Sequence, residues 1–318
     1  MPLVPHSAVS DARAVIAGRL HRTPLVHSRT LSEMTGLDVY LKLEAFQKTG
    51  SFKVRGVLNR LATLTREERA SGVVTLSAGN HAQALAWAAA AEGMPAVVVM
   101  PATAVRSKVE ATRGYGAEVI QTAGDLLATA HEVRDARGLT LVHPFDDPRI
   151  IAGAATATDE IFDDLPDADA VIFGVGGGGL GSGVLVAGRA RRPEARLIGV
   201  EPEGACVMRM SLDAGRALKP DAPPRTIADG LAAPFAGAIT FEHFRDLKAE
   251  VVTVPDAAIV DAMWRIIERT KILAEPAAAA GLAALLAGAV RPALAPGARV
   301  VLMISGGNVD RDRLKAIA

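Results

Sequence analysis

The sequence predicts an α/β protein built from two domains, and its composition and the order of its segments support this prediction. Half of the 318 residues are apolar and only 4% are aromatic, with Ala, Val, Leu and Gly dominating. This composition is typical of Ala-rich helices that cover Val-rich strands. Strand-like and helix-like segments alternate along almost the whole chain, which favours open, twisted parallel sheets with helices on both faces.

The predicted elements fall into two runs, which together hold too many strands for one open sheet. Strands are predicted at 38–43, 73–76, 96–100, 117–121, 140–142, 170–173, 197–200, 251–254 and 300–304. Helices are predicted at 52–64, 80–92, 105–114, 126–138, 148–162, 180–191, 256–271 and 276–289. We therefore expect a large domain from residues 1–64 and 148–318 and a small domain from residues 65–147. The cleft between them is the natural place for a functional site.

Charge, hydropathy and cysteine content exclude several classes of partner. Thirty-five basic residues balance thirty-five acidic ones, so the composition does not point to nucleic acid or to an anionic membrane. The longest apolar stretch, residues 276–290, is shorter than the roughly 18 residues that cross a bilayer and is expected to be a buried helix. A single cysteine, Cys206, and the lack of an export signal in residues 1–20 indicate a cytoplasmic protein without internal disulfides.

Residues 48–57, KTGSFKVRGV, place a lysine where its charge is poorly stabilised. Ser51 is a good N-cap for a helix that begins at Phe52, so Lys53 falls in the first helical turn. The helix dipole disfavours a cation there by up to about 1 kcal/mol, and Phe52 is an apolar neighbour. Most lysines are simply solvated, but this one is a candidate for a free amine that bonds a carbonyl group.

Residues 171–183, VIFGVGGGGLGSG, form a predicted strand, a glycine loop and a helix. Consecutive glycines let backbone N–H groups converge on one oxyanion, and the helix N-terminus adds positive potential, so the loop is a candidate phosphate cradle. A dinucleotide site is the alternative, because Gly174, Gly176 and Gly179 satisfy G-x-G-x-x-G and Glu201 ends the next predicted strand. This segment by itself is therefore also compatible with an NAD-dependent oxidoreductase.

Two further turns offer polar groups at strand ends. Ser77 and Asn80 in the segment SAGNHAQ are capping residues, and Gly79 permits close backbone approach, so this turn offers donors to a carboxylate or a ring oxygen. His81 in the same turn is expected to be a packed or capping residue rather than a catalytic one. The hydroxyl of Ser305, in SGGN after the last strand, is expected to face the crevice where parallel sheets bind ligands.

Together these motifs resemble the fold-type II pyridoxal phosphate enzymes, and among them the serine/threonine dehydratase and serine racemase group. The matching motifs follow one another along nearly the whole chain. They are HRTPL at 21–25, the Lys53 segment, SAGNH at 77–81, HPFDD at 143–147, the glycine loop, TIADG at 226–230, EP at 275–276 and SGGN at 305–308. The resemblance implies a tryptophan synthase β-like fold, pyridoxal 5'-phosphate as the cofactor of the large domain, and a homodimer.

The resemblance also implies roles for individual residues. Lys53 would carry the cofactor covalently, Phe52 would stack near its ring, and Ser305 would face the pyridine nitrogen. The remaining cofactor contacts would come from Asn80 at the ring hydroxyl, from Gly176, Gly177, Gly178, Gly179 and Leu180 at the phosphate, and from Gly230, Glu275 and Gly306. The substrate would be bound by Ser77, Ala78, Gly79, Asn80 and His81.

The reaction that this resemblance implies is the loss of a β-hydroxyl group from L-threonine or L-serine. A neutral serine at the pyridine nitrogen leaves that nitrogen unprotonated, and the weaker electron sink favours β-elimination over transamination. The freed amine of Lys53 would remove the α-proton, and the released product would hydrolyse to a 2-oxo acid and ammonia. Dehydration of another β-hydroxy amino acid, such as 3-hydroxyaspartate or phenylserine, and serine racemisation are the alternatives.

Two departures from the family pattern bear on the expected chemistry. Ala78 replaces the serine that racemases use as a second acid/base, so we expect racemisation to be minor. Glu201 and Ala205 stand at two positions of the family's cation site, but Val207 replaces its aspartate. Because a hard cation needs several oxygen ligands, no bound metal is expected.

Overall fold

The structure, a computed structural model, describes residues 2–317 and builds them around two sheets. The strands are β1 (Leu25–His27), β2 (Asp38–Leu43), β3 (Val73–Leu76), β4 (Ala96–Pro101), β5 (Glu118–Thr122), β6 (Thr140–Leu141), β7 (Ala170–Gly174), β8 (Arg196–Pro202), β9 (Glu250–Val254) and β10 (Arg299–Ile304). The α-helices are α1 (His6–Ile16), α2 (Arg29–Thr35), α3 (Lys53–Leu61), α4 (Arg66–Ser71), α5 (Asn80–Ala91), α6 (Arg106–Gly114), α7 (Leu126–Arg137), α8 (Pro148–Asp164), α9 (Gly179–Arg191), α10 (Val207–Ala214), α11 (Ala238–Asp246), α12 (Asp256–Thr270), α13 (Pro276–Leu286) and α14 (Arg311–Ala316).

The larger sheet has six strands in the order β1-β2-β10-β7-β8-β9, and every pair is parallel except β1 with β2. The smaller sheet has four parallel strands in the order β5-β4-β3-β6. Parallel pairing brings the loops that follow the strands to one edge of each sheet, where open α/β sheets bind ligands. Each sheet draws its strands from one of the two predicted domains, whose exact limits stay a prediction.

The core of the larger sheet combines branched strand residues with a helix of small residues. Every residue of β7 is buried, and α13 is buried from Pro276 to Ala284. Alanine side chains let a helix lie close to a sheet, which explains the high Ala content and the shortage of aromatic residues. α13 is therefore the buried helix that the sequence predicts. Within residues 2–317, no helix combines the length and the apolar character that crossing a bilayer requires.

The predicted α/β class is confirmed, and each predicted strand and helix is present with ends that differ by at most three residues. The structure adds β1, α1, α2, α4, α10, α11 and α14, which the sequence analysis does not predict. These elements are short, with three to eleven residues each. One signal was available for α4, where Thr65 and Glu68 form a capping box.

Ser51 does not cap α3, and this prediction is wrong. Phe52 occupies the N-cap position without a side-chain cap bond, and Ser51 has an extended backbone. Ser51 instead forms an isolated antiparallel bridge with Gly306, and its hydroxyl has no hydrogen-bond partner within the described chain. A tertiary pairing with the segment after β10 therefore replaces the local cap that the sequence suggests.

A buried ion cluster fixes α3 against β2 and α8. The Arg55 guanidinium donates to the Glu44 carboxylate at 2.8 and 2.9 Å and to the Glu160 carboxylate at 2.7 and 2.9 Å. The Nζ atom of Lys42 also donates to Glu160, at 2.6 Å. The cluster therefore contains two cations and two anions. This neutrality matters because a charge that is removed from water is costly unless an opposite charge pairs with it. Because Arg55 lies two residues after Lys53, the cluster also fixes the helix start that carries this lysine.

Candidate functional site

A cavity of about 330 Å³ lies where the loops after β3, β7 and β10 meet the start of α3. The residues predicted for the site line it, with the exception of Gly306. They are Phe52, Lys53, Ser77, Ala78, Gly79, Asn80, His81, Gly176, Gly177, Gly178, Gly179, Leu180, Gly230, Glu275 and Ser305. Gly306 lies behind this wall, where its carbonyl oxygen accepts the N–H of Glu275 at 3.1 Å. The structure thus brings together segments that are far apart in the sequence.

Lys53 is the first residue of α3, and its side chain enters the cavity. Its Nζ atom donates to the carbonyl oxygen of Pro144 at 2.9 Å and lies 5.2 Å from the centre of the Phe52 ring. Burial lowers the pKa of Lys53 to about 8, although the negative charge of Glu275 acts in the opposite direction. The direction agrees with the sequence prediction, but removal from water is the main cause.

Glu275, Asn80 and Asn308 form a hydrogen-bonded group in the cavity wall. The amide nitrogen of Asn80 donates to the two oxygens of Glu275 at 2.9 and 3.1 Å. The amide nitrogen of Asn308 donates to the Asn80 side-chain oxygen at 2.9 Å. Burial raises the pKa of Glu275 to about 7, against the effect of the Asn80 hydrogen bond. This group holds Asn80, at the start of α5, against the loop after β10.

The glycine loop follows β7 and leads into the N-terminus of α9. Gly178 has a φ of +95°, a conformation that favours glycine. A Cβ atom on Gly177 would lie 2.5 Å from the ring of Phe145, so no side chain fits there. The N–H groups of Gly176, Gly177 and Gly178 donate to no acceptor within residues 2–317. The loop therefore offers free backbone N–H donors at a helix N-terminus, which is the arrangement that binds anions.

The turn after β3 is closed by its own side chains. The Ser77 hydroxyl accepts the N–H of Gly79 at 3.1 Å, and Gly79 is the N-cap of α5. His81 is buried with its Nε2 atom 3.4 Å from the carbonyl oxygen of Val142, and burial holds its pKa well below the ordinary value. As the sequence predicts, His81 is a packed residue. Ala78 contributes only a methyl group to the cavity.

Several residues of the cavity wall have no role in the sequence analysis. Phe145 and Phe235 pack with ring centres 5.3 Å apart, and His143 meets Phe145 edge-on at 4.7 Å. The Nζ atom of Lys108, in α6, donates to the carboxylate of Asp229 at 2.6 Å across the cleft. The available signals were the HPFDD motif at 143–147 and the TIADG motif at 226–230, in which the sequence analysis gives these residues no function.

Glu201 does not reach the cavity, which weakens both of its possible roles. It is fully buried, and its two oxygens accept the N–H groups of Met208 at 2.9 Å and Arg209 at 2.8 Å. These bonds cap α10 and occupy the carboxylate that a dinucleotide site would need for ribose. A hard cation does not fit this site either, because Val207 carries no side-chain oxygen. Within residues 2–317, no group of three or more His, Cys, Asp or Glu residues is placed to hold a metal.

Comparisons with known proteins support a relationship over nearly the whole chain. Residues 16–306 match a family model described as pyridoxal-phosphate dependent enzyme. The L-threonine ammonia-lyase of Thermotoga maritima is 44% identical over 313 residues, which are 97% of this chain and 77% of that protein. The structure of maize serine racemase is similar with a TM-score of 0.94 and 38% identity, over 99% of this chain and 97% of that one. The crystal structure of a threonine deaminase from T.th. has a TM-score of 0.90 and 40% identity, over 97% of this chain and 99% of that one.

Proposed function

We propose that this chain, which belongs to the family of pyridoxal-phosphate-dependent enzymes, removes the β-hydroxyl group of L-threonine or L-serine. The products are 2-oxobutyrate or pyruvate, together with ammonia. Two of the similar proteins are named as a threonine ammonia-lyase and a threonine deaminase. The observation that carries the proposal is the position of Lys53, whose amine has a lowered pKa and lies in the same cavity as the glycine loop.

The residues of the cavity fit pyridoxal 5'-phosphate. The amine of Lys53 is available for its aldehyde, and the free N–H groups of residues 176–178 are available for its phosphate. A side chain at Gly178 would displace the loop that forms the cradle, because its Cβ atom would lie 2.7 Å from Thr240. Asn80 would bond the ring hydroxyl and Ser305 the ring nitrogen. When bound, the cofactor supplies an electron sink for the pair of electrons left after the α-proton departs.

The Nζ atom of Lys53 is the base that removes the α-proton. A pKa of about 8 leaves a sizeable fraction of the amine unprotonated near neutral pH. The Pro144 carbonyl, 2.9 Å away, holds Nζ at the cavity wall. The rings of Phe145 and Phe235, whose centres are 5.3 Å apart, give the same cavity an apolar section of wall.

Ala78 supports elimination rather than racemisation. Racemisation needs a second proton donor opposite the amine, and the methyl group of Ala78 carries none. The lowered pKa of His81 keeps its imidazole neutral, so this neighbour is not a charged acid either. Serine racemase activity is the second candidate function, because maize serine racemase is similar over 99% of this chain.

We further propose that the enzyme is a cytoplasmic homodimer. Phe46 is 53% exposed and Leu273 is 45% exposed, and the two segments adjoin at Gly307, where a Cβ atom would contact both Ala45 and the Leu273 backbone. An apolar patch of this kind supports self-association. The free thiol of Cys206 is consistent with a reducing compartment. The separate sheets support the division into residues 1–64 with 148–318 and residues 65–147.

An assay of 2-oxo acid release over a panel of β-hydroxy amino acids tests the function. We expect L-threonine and L-serine to give the highest kcat/KM in the holoenzyme, with 3-hydroxyaspartate and phenylserine as the comparison substrates. Preferred turnover of either comparison substrate would change the substrate assignment. Failure to release a 2-oxo acid from any member of the panel would overturn the proposal.

A further inference from the structure

Two consecutive contacts connect the turn at 143–147 to the glycine loop, and we call them the relay. The Asp146 carboxylate accepts backbone N–H groups of α11, including that of Thr240, and the Thr240 hydroxyl donates to the glycine loop. We infer that this relay positions the loop's N–H groups for a phosphate group. Neither side chain lines the cavity, so both are positioning residues and not catalytic ones. The inference rests on the proposed function of the glycine loop as the phosphate site.

The first step of the relay joins the turn at 143–147 to α11. Asp146 Oδ1 accepts the N–H groups of Ile239 at 2.9 Å and Thr240 at 3.1 Å, and its Oδ2 accepts that of Ala238 at 3.1 Å. These are the first three residues of α11, whose N–H groups have no partner within the helix. A Cβ atom on Gly237 would lie 2.3 Å from Asp146 Oδ1, so the close approach needs a glycine. Asp146 therefore fixes where α11 begins.

The second step joins α11 to the glycine loop. Thr240 is fully buried, and its Oγ1 atom donates to the carbonyl oxygen of Gly177 at 2.7 Å. Its side chain also packs against the next residue, since a Cβ atom on Gly178 would lie 2.7 Å from Thr240 Cβ. Thr240 thus contacts two consecutive residues of the loop.

The direction of this hydrogen bond determines where the loop presents a donor. The carbonyl of Gly177 and the N–H of Gly178 belong to one planar trans peptide and point in opposite directions. Thr240 draws the carbonyl toward α11, so the N–H of Gly178 points away from α11 and toward the cavity. That N–H has no acceptor within residues 2–317. A buried N–H without an acceptor is costly, and a phosphate oxygen would satisfy it.

The test compares the binding of pyridoxal 5'-phosphate and of pyridoxal, which lacks the phosphate, to the apo-protein by absorption titration. We expect Thr240→Val to weaken binding of the phosphate form by about threefold to tenfold, the value of one hydrogen bond, and to leave pyridoxal binding nearly unchanged. Thr240→Ser keeps the hydroxyl and should restore the affinity. Thr112→Val is the matched control, because this buried threonine donates to the Lys108 carbonyl at 2.9 Å within α6.

The outcomes separate the relay from the proposed phosphate site. An equal loss of affinity for both compounds in Thr240→Val, or no loss for either, would overturn the relay. A native protein that binds pyridoxal as tightly as pyridoxal 5'-phosphate would overturn the phosphate site as well. Should Thr240→Val fail to fold, Asp146→Asn replaces it, because the amide keeps one acceptor oxygen for α11. This variant must still reduce the preference for the phosphate form, and an unchanged preference would contradict the relay.

Discussion

The Nζ atom of Lys53 donates a hydrogen bond of 2.9 Å to the carbonyl oxygen of Pro144. Pro144 belongs to the turn at 143–147, and the next two residues of this turn contact other parts of the site. The Phe145 ring covers Gly177, and the Asp146 carboxylate caps α11. One short turn therefore contacts both the reactive amine and the glycine loop, and it sets their relative positions.

Removal of the Lys53 amine should abolish turnover. Lys53→Ala is expected to lower kcat by about 10³-fold or more, because it removes both the covalent attachment and the base. Borohydride reduction followed by mass spectrometry of the digest should find a pyridoxyl group on the peptide containing Lys53 in the native protein and none in the variant. Lys48→Ala is the control, since Lys48 lies outside the cavity wall and should keep its activity. Full activity in Lys53→Ala would contradict the proposed role.

The Lys53 amine should reach half of its maximal labelling rate at a lower pH than a solvated lysine does. Only the unprotonated amine reacts with an acylating reagent, so the labelling rate of Lys53 in the apo-protein should rise with pH and level off above about 8. N-acetyl-lysine added to the same reaction serves as the reference, since the reactivity of solvated lysines continues to rise up to a pH of about 10.4. Labelling resolved by mass spectrometry measures both. Equal midpoints for the two lysines would disagree with the burial of Lys53.

The charge of Glu275 should shift that midpoint. Because the Glu275 carboxylate favours the ammonium form of Lys53, Glu275→Gln is expected to move the labelling midpoint of Lys53 to lower pH. The amide can still pair with Asn80, so the wall should stay intact. The same labelling experiment measures the shift, and the midpoint of the N-acetyl-lysine standard serves as the reference. A shift to higher pH would show that the two groups do not interact as their charges require.

A side chain in the glycine loop should disrupt cofactor binding. Gly178→Ala adds a Cβ atom 2.7 Å from Thr240 at a residue with φ of +95°, so we expect at least about tenfold weaker binding of pyridoxal 5'-phosphate. Gly215→Ala is the matched control, since Gly215 also has a positive φ, of +68°, but nothing lies within 4 Å of its Cβ position. Absorption titration of the two apo-variants gives the affinities. Similar losses in both would mean that backbone strain, and not the cradle, is responsible.

A hydroxyl group at position 78 should introduce racemisation. Ala78→Ser places a proton donor in the cavity wall, and the rate of D-serine formation per turnover is expected to rise by about tenfold or more. Chiral chromatography of the products from L-serine measures this ratio against 2-oxo acid release. An unchanged ratio would refute the idea that Ala78 limits racemisation.

Much of the fold and of the cavity wall was predictable because the signals are local. A continuous run of branched and aromatic residues predicts β7, and four consecutive glycines between it and α9 indicate a loop that approaches a ligand closely. The motifs containing Lys53, Asn80 and Ser305 also line the cavity, although their individual roles stay predictions. Ser51 and Glu201 show the limit of this reasoning. A bridge to Gly306 replaces the predicted cap, and α10 occupies the carboxylate of Glu201.

By itself, the sequence determined the alternation of strands and helices, the glycine loop and the helix start that carries Lys53. Each of these depends on residues that are neighbours along the chain. Only the tertiary structure decided which groups face one another. Pro144 is 91 residues from Lys53, and Thr240 is 63 residues from Gly177. Hydrogen bonds and the loss of hydration act over a few ångströms, so the pKa of Lys53 and the orientation of the loop depend on packing that no local pattern contains.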